Sequence, residues 1–292
     1  MKECYREINF KKTQLTMIDT INVIIEEYMA AGYTLTVRQL YYQLVARDIV
    51  PNVEKQYKYI TRTVNDARIA GLIDWDAIED RTRQFTARQR WDSPNAIFTA
   101  AARSYHTDPW ATQNCRPFLI VEKEALSGVF QRVCHEFDVP LLSARGYPSV
   151  SVMREFVSEQ VLTSDQDVVV LHFGDHDPSG IDMTRDIDDR CEMFAYGNMP
   201  FELNRLALNI DQVKKHKPPA NPAKTTDARF ANYKRLFGVS SWELDALNPQ
   251  ILSDLARTAI TKLIDQKAWD KWDRGEKKTR AAMALHANAF KG

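Results

Sequence analysis

Apolar side chains recur at three- and four-residue spacing over 14–31, at Leu15, Ile18, Ile21, Val23, Ile24 and Ile25, and so predict a helix. Gly32 ends that run as a helix-terminal glycine does. Thr36 is placed to cap a second helix, VRQLYYQLVARD, and residues 54–70 predict a third with Gly71 behind it. LIDWDAIED (72–80) then alternates as a short extended tail. Three helices and an extended tail read as a winged helix-turn-helix. Its third helix would display Lys55, Lys58, Arg62 and Arg68 to a DNA major groove.

From residue 116 onward the pattern changes. FLIVEKEALSGVF predicts a buried strand over 118–121 running into a helix that reaches about residue 137. A short apolar strand (139–144), the turn RGYPS and a helical stretch (150–162) follow. An unbroken apolar strand over 168–173 then ends in GDHDPSG. Near-continuous apolar strands alternating with helices indicate an α/β fold with a parallel sheet covered on both faces.

That arrangement places chemistry. Glu122 falls at the carboxyl end of one strand, and Asp175 and Asp177 at the end of another, where open α/β sheets bind ligands. Three converging carboxylates repel, and a hard divalent cation, Mg²⁺, neutralises them while leaving room for phosphate oxygens. A glutamate in such a set can also move a proton. His172 and His176 have no Cys or further His at zinc-ligand spacing, so local hydrogen bonding is their expected role. In the second helix, positions 37, 40, 41 and 44 form one apolar stripe that assigns Tyr41 to the core. Tyr42 lies about 100° further round and shares a face with Arg38. The pair fits a nucleophile with a phosphate clamp, and it equally fits a packing residue at a domain edge. The sequence leaves both open.

Composition narrows the class. The chain has 292 residues, 44% hydrophobic and 27% charged, with a length prior of about two domains. No apolar run approaches a membrane span, and MKECYREINFKK has no apolar core of a secretory signal. Four scattered cysteines (Cys4, Cys115, Cys134, Cys191) form no CxxC pair, which excludes a zinc ribbon and fits a reducing, cytoplasmic compartment. Net charge is zero but unevenly spread. Residues 1–110 carry 15 Lys+Arg against 14 Asp+Glu, residues 111–212 carry 8 against 17, and residues 213–292 carry 16 against 8. Basic runs occur at 81–103 (Arg81, Arg83, Arg88, Arg90, Arg103) and at 213–235, where Lys214, Lys215 and Lys217 are expected on a backbone-contacting loop. Basic flanks around an acidic centre suit a protein that grips phosphate at its edge and metal at its heart.

The segments FLIVEKEALSGVF, ARGYPSVSV and GDHDPSGID resemble the Toprim domain of the topoisomerase VI A subunit and its meiotic double-strand-break relatives. That family carries a VVEKEAVF-type strand, a G-x-GYP turn and a D-x-DP-x-G loop. TVRQLYYQL is similar to the family's R-[ED]-hydrophobic-[YF]-Y helix, although Gln39 stands where an acid is usual. The resemblance spans about 34–247 and includes SWELDAL (241–247). In size the chain is closer to the short stand-alone A-like proteins of bacterial, mobile-element or phage genomes.

The resemblance implies a winged-helix domain over 1–92, a linker over 93–115, and a Toprim (Rossmann-like) domain with C-terminal helices over 116–292. It implies Tyr42 as the nucleophile forming a 5′-phosphotyrosyl link, Arg38 as phosphate clamp, and Glu122, Asp175 and Asp177 as the acid/base and Mg²⁺ set. It also implies double-stranded DNA as substrate and a homodimer in which one protomer's tyrosine meets the other's acids. No GxGxxG or Walker loop is present, so type IIB strand passage would need a separate GHKL-type ATPase B subunit. The alternatives are a Toprim hydrolytic endonuclease without a covalent tyrosine, or a non-catalytic DNA-binding subunit.

Overall fold

A computed structural model describes residues 2–78, 90–197 and 201–289. The basic candidates Arg81, Arg83 and Arg88 lie outside the described residues. Within them the chain is a mixed α/β fold with a four-stranded parallel sheet and eleven α-helices.

The N-terminal unit is built on α1 (Lys12–Ala30), α2 (Val37–Ala46) and α3 (Glu54–Ile69). The stripe Ile18, Ile21, Ile24 and Ile25 of α1 packs on Leu40 and Leu44 of α2 and on Ile60 and Val64 of α3. Leu15 and Val23, which share the same apolar run, face out instead. Thr36 caps α2 as expected, accepting from Gln39 N at 3.2 Å while Gln39 Oε1 accepts from Thr36 N at 2.8 Å. This capping box gives the departing Gln39 a local role, since an amide at the third helical position satisfies the cap's own N–H. Within 72–78, the described part of the extended tail expected over 72–80, a 3-10 turn occupies Trp75–Ala77 and Ile78 bridges to Leu35. The cap formed by Asp74, which accepts from Asp76 N at 2.9 Å, outcompetes strand alternation there.

The sheet runs β2 (Leu141–Ser143), β1 (Cys115–Val121), β3 (Asp167–Phe173), β4 (Phe201–Ala207), all parallel. One face carries Leu119, Val121, Val169 and Leu171 against α5 (Ser127–Phe137) and α10 (Pro249–Thr261). The other carries Phe118, Ile120, Val168 and Val170 against α6 (Val150–Phe156) and α7 (Pro178–Phe194). Chain order reverses between β1 and β3, so their carboxyl ends flank the crevice where α/β sheets bind ligands. Downstream come α8 (Ile210–His216), the two-stranded β5 (Asn221–Pro222) and β6 (Ser240–Ser241), and α9 (Phe230–Phe237).

The stretch read as a linker over 93–115 is largely helical. It forms α4 (Pro94–Ser104) and packs against the C-terminal α11 (Gln266–Ala289). Ser93 caps α4 and Pro94 starts it, a helix-opening pair. The buried Glu276 of α11 fastens this layer: it accepts from Thr107 N at 2.9 Å and Thr107 Oγ1 at 3.1 Å and meets His106 Nδ1 at 3.0 Å. Among the described residues no helix is long and apolar enough to cross a membrane. Glu276→Ala would remove the shared acceptor of Thr107 and His106 and is expected to cost about 1–2 kcal/mol in a urea unfolding measurement.

Candidate active site

The sequence D-P-S-G explains how the crevice loop is made. Asp177 caps α7, accepting from Gly180 N at 2.6 Å and Ser179 Oγ at 3.0 Å, with Pro178 in the first turn. A Cβ at position 180 would lie 2.3 Å from the Asp175 carbonyl oxygen, so only glycine permits this tight return. Arg205 of β4 rivets the loop from below. Its Nη2 donates to the carbonyls of Gly174 (3.1 Å), Asp175 (2.6 Å) and Leu208 (3.2 Å), and its Nη1 to Gly180 O (2.8 Å) and Thr184 Oγ1 (2.9 Å). Burial lowers the Arg205 pKa to about 10, partly offset by Glu122, Asp175 and Asp177.

Glu122 and Asp175 are brought together. Glu122 Oε2 accepts from Asp175 N at 2.8 Å, and burial, then the charge of Asp177, raises the Glu122 pKa. Asp175 is otherwise engaged: its Oδ1 accepts from Leu244 N at 2.7 Å and its Oδ2 pairs with Lys123 Nζ at 3.0 Å. Both oxygens of Asp175 are thus taken by groups of the chain itself, Leu244 N and Lys123 Nζ. Among the described residues no group of three or more His, Cys, Asp and Glu is arranged to hold a metal ion.

Lys123 belongs to a larger network that the sequence reading missed. Its ammonium donates to Glu243 Oε2 at 2.7 Å and Asp245 Oδ1 at 2.8 Å. Arg38 of α2 reaches the same two acids, through Nε to Asp245 Oδ2 at 3.0 Å and through Nη2 to Glu243 Oε2. Two cations face three carboxylates, so one acid lacks a counter-charge. Burial, with Glu122 and Asp245 adding to it, pushes the pKa of Asp175 up to about 8, while Lys123 pulls it down. The signal in the sequence was an acid pair at i and i+2 inside the apolar SWELDAL, where the buried Asp245 needs a cation.

The network ties α2 to the strand tips and places Tyr42. Tyr42 is 5% exposed, in the N-terminal core with Ala246, and the Arg38 guanidinium lies 5.7 Å from its ring centroid. Burial, then Glu243 and Asp245, raise the Tyr42 pKa, and Arg38 opposes them. Tyr41 is core as expected, but its hydroxyl also accepts from Val53 N at 2.9 Å and so fixes the loop before α3. Arg38, Tyr42, Lys123, Asp175, Asp177 and Glu243 line one cleft of about 460 Å³. The tyrosine thus shares a cleft with acids of its own chain.

The remaining basic candidates divide. Lys55 is exposed, while Lys58 and Arg62 are exposed with partners on α3 itself, Glu54 and Asp66. Arg68 is not displayed: it stacks 4.5 Å over Trp75 and donates to the carbonyls of Trp75 and Ile78. Lys214 and Lys215 sit in the last turn of α8 rather than a loop, and Lys217 is its left-handed cap. All three are exposed. His172 and His176 bond locally, to Thr184 Oγ1 at 3.0 Å and Tyr233 Oη at 2.8 Å, and burial lowers their pKa to about 3 and about 4.

Four carboxylates (Glu54, Asp175, Asp177, Glu243) and three cations (Arg38, Lys123, Lys224) line the cleft, with Glu122, Asp245 and Arg205 bonded to its lining residues. Among the described residues no donor meets Glu122 Oε1 or Asp177 Oδ2. Glu122, whose pKa burial and then the charge of Asp177 raise, and Asp177 keep a free oxygen apiece, which suits a hard divalent cation that takes one or two carboxylates and keeps its waters. No family model matches the chain, and no curated protein matches it.

A carboxyl held protonated in the fold and released near pH 4 when unfolded makes stability fall as pH climbs from about 4 towards 8. Asp175→Asn is therefore expected to be more stable than wild type at pH 8 without metal. The gap should narrow towards pH 5, by up to about 1.4 kcal/mol per pH unit, in paired denaturant titrations.

Proposed function

We propose that the chain is a DNA-cleaving enzyme of the topoisomerase VI A type, with α1–α3 as a winged-helix unit and the parallel sheet as a Toprim unit. The observation that carries this reading is the single cleft joining Tyr42 and Arg38 of α2 to Asp175 and Asp177 at the strand tip. In this reading Arg38 and Lys123 neutralise the non-bridging oxygens of a DNA phosphodiester. Tyr42 Oη bonds to phosphorus as the bond to the 3′ oxygen breaks; the phenolic proton passes to a cleft carboxylate, which hands it on to the departing 3′ oxygen. One ester replaces another, so the step is reversible without external energy.

Glu122 and Asp177 would hold Mg²⁺, which when bound supplies charge neutralisation at the phosphate. Asp175 acts through Lys123 and Leu244, keeping the network aligned. Arg205 holds the loop. Homodimerisation and an ATPase partner for strand passage remain part of the proposal through the resemblance alone.

A second reading is hydrolytic cleavage on the same fold. It is favoured by the near-complete burial of Tyr42 and its raised pKa, both of which oppose phenolate formation in this state.

The test is supercoiled plasmid with Mg²⁺, stopped in detergent and assayed for DNA that partitions with protein before protease. Trapping that vanishes in Tyr42→Phe, and falls about 100-fold or more in Asp177→Asn, is the expected result. Cutting that survives Tyr42→Phe but not Asp177→Asn selects hydrolysis. Absence of cutting in any divalent metal contradicts both.

A further inference from the structure

Groups suited to gripping a phosphate are already engaged in this structure. Arg38 Nη2 and Lys123 Nζ donate to one and the same oxygen, Glu243 Oε2. The other oxygen, Oε1, faces Asn221 Nδ2 at 3.5 Å, and Glu243 stands close enough to Tyr42 to raise its pKa. All five residues line the cleft. One anionic oxygen shared by an arginine and a lysine, beside a phenol, reproduces the surroundings of a bound phosphate oxygen.

Asp245 provides the contrast. It is 1% exposed and holds the same two cations through separate oxygens, at 3.0 Å to Arg38 and 2.8 Å to Lys123. It therefore anchors Arg38 and Lys123 whether or not Glu243 is present. The Glu243 side chain keeps 25% exposure, and its backbone is extended, just before the 3-10 turn Leu244–Ala246. Its carboxylate is free to leave while the turn that carries Asp245 stays packed on α2.

We propose that Glu243 is an internal stand-in for substrate phosphate: its carboxylate fills the subsite that Arg38 and Lys123 form beside Tyr42, and a DNA backbone enters by displacing it. This rests on the reading that the cleft takes DNA. Exchanging one anion for another keeps both cations neutralised, so the cost of entry is the set of Glu243 pairs and not two unpaired charges. Glu243 is on this account a positioning residue that gates the subsite.

The experiment uses the full chain and a duplex oligonucleotide with chelator present, so that cutting cannot intervene. Affinity is followed by fluorescence anisotropy across a salt series. Glu243→Gln, nearly isosteric, and Glu243→Ala should each bind about five- to tenfold tighter than wild type. Their slope of log K against log salt should steepen by about 0.9 for each further phosphate that the cleft neutralises. Arg38→Gln added to Glu243→Gln should abolish the tighter binding. Variants that bind no tighter than wild type, or tighter binding that persists without Arg38, would overturn the gate. Should wild type cut DNA in Mg²⁺ while neither variant binds more tightly, the gate fails and the cleavage reading stands. Tighter binding with no cutting in any of the proteins leaves the gate standing and removes the cleavage reading.

Discussion

Arg38 and Lys123, from opposite ends of the fold's two halves, close on Glu243 and Asp245, and almost everything specific to the cleft follows from that closure. Taking charged groups out of water is costly unless each finds a partner. Here each cation answers the two acids that follow β6, so α2 cannot leave the strand tips without stranding Asp245 in the interior. This constraint holds the Tyr42 helix against the sheet. Beside it, burial first and then the charges of Glu122 and Asp245 raise the pKa of Asp175, against the pull of Lys123.

The acids that resemble a single metal set are divided by the backbone that carries them. Asp175 turns inward to Lys123 and to the amide of Leu244, while Glu122 and Asp177 each spend one oxygen on the chain's own N–H groups and keep the other. Arg205 makes this division rigid, because four of its five acceptors are backbone carbonyls around the loop between β3 and α7. A loop fixed by a buried guanidinium is pre-organised: its carboxylates need little rearrangement to meet a cation.

Much of the fold was legible because periodicity reports burial directly. The isoleucines of α1, the cap at Thr36 and the apolar strands β1 and β3 all declare themselves within a few residues of sequence. What escaped is what depends on distant partners. Arg68 looked like a groove-facing cation until Trp75 and two carbonyls claimed it. Lys123 follows Glu122 with no acid partner in its own segment, because its partners lie about 120 residues away in SWELDAL. The helix within 93–115, α4, packs on α11, at the far end of the chain. Tyr42 was seen beside Arg38, but the pattern had no means of showing that its own chain supplies the acids opposite.

The central claim is that Tyr42 and the strand-tip acids act on one DNA phosphodiester, and the residue bearing the DNA is its most direct witness. Protein trapped with Mg²⁺ and DNA, digested with nuclease and then protease, should yield a nucleotide-bearing peptide in mass spectrometry with the 5′-phosphoryl group on Tyr42. An adduct on any other residue, or cut DNA with no adduct at all, would contradict the account.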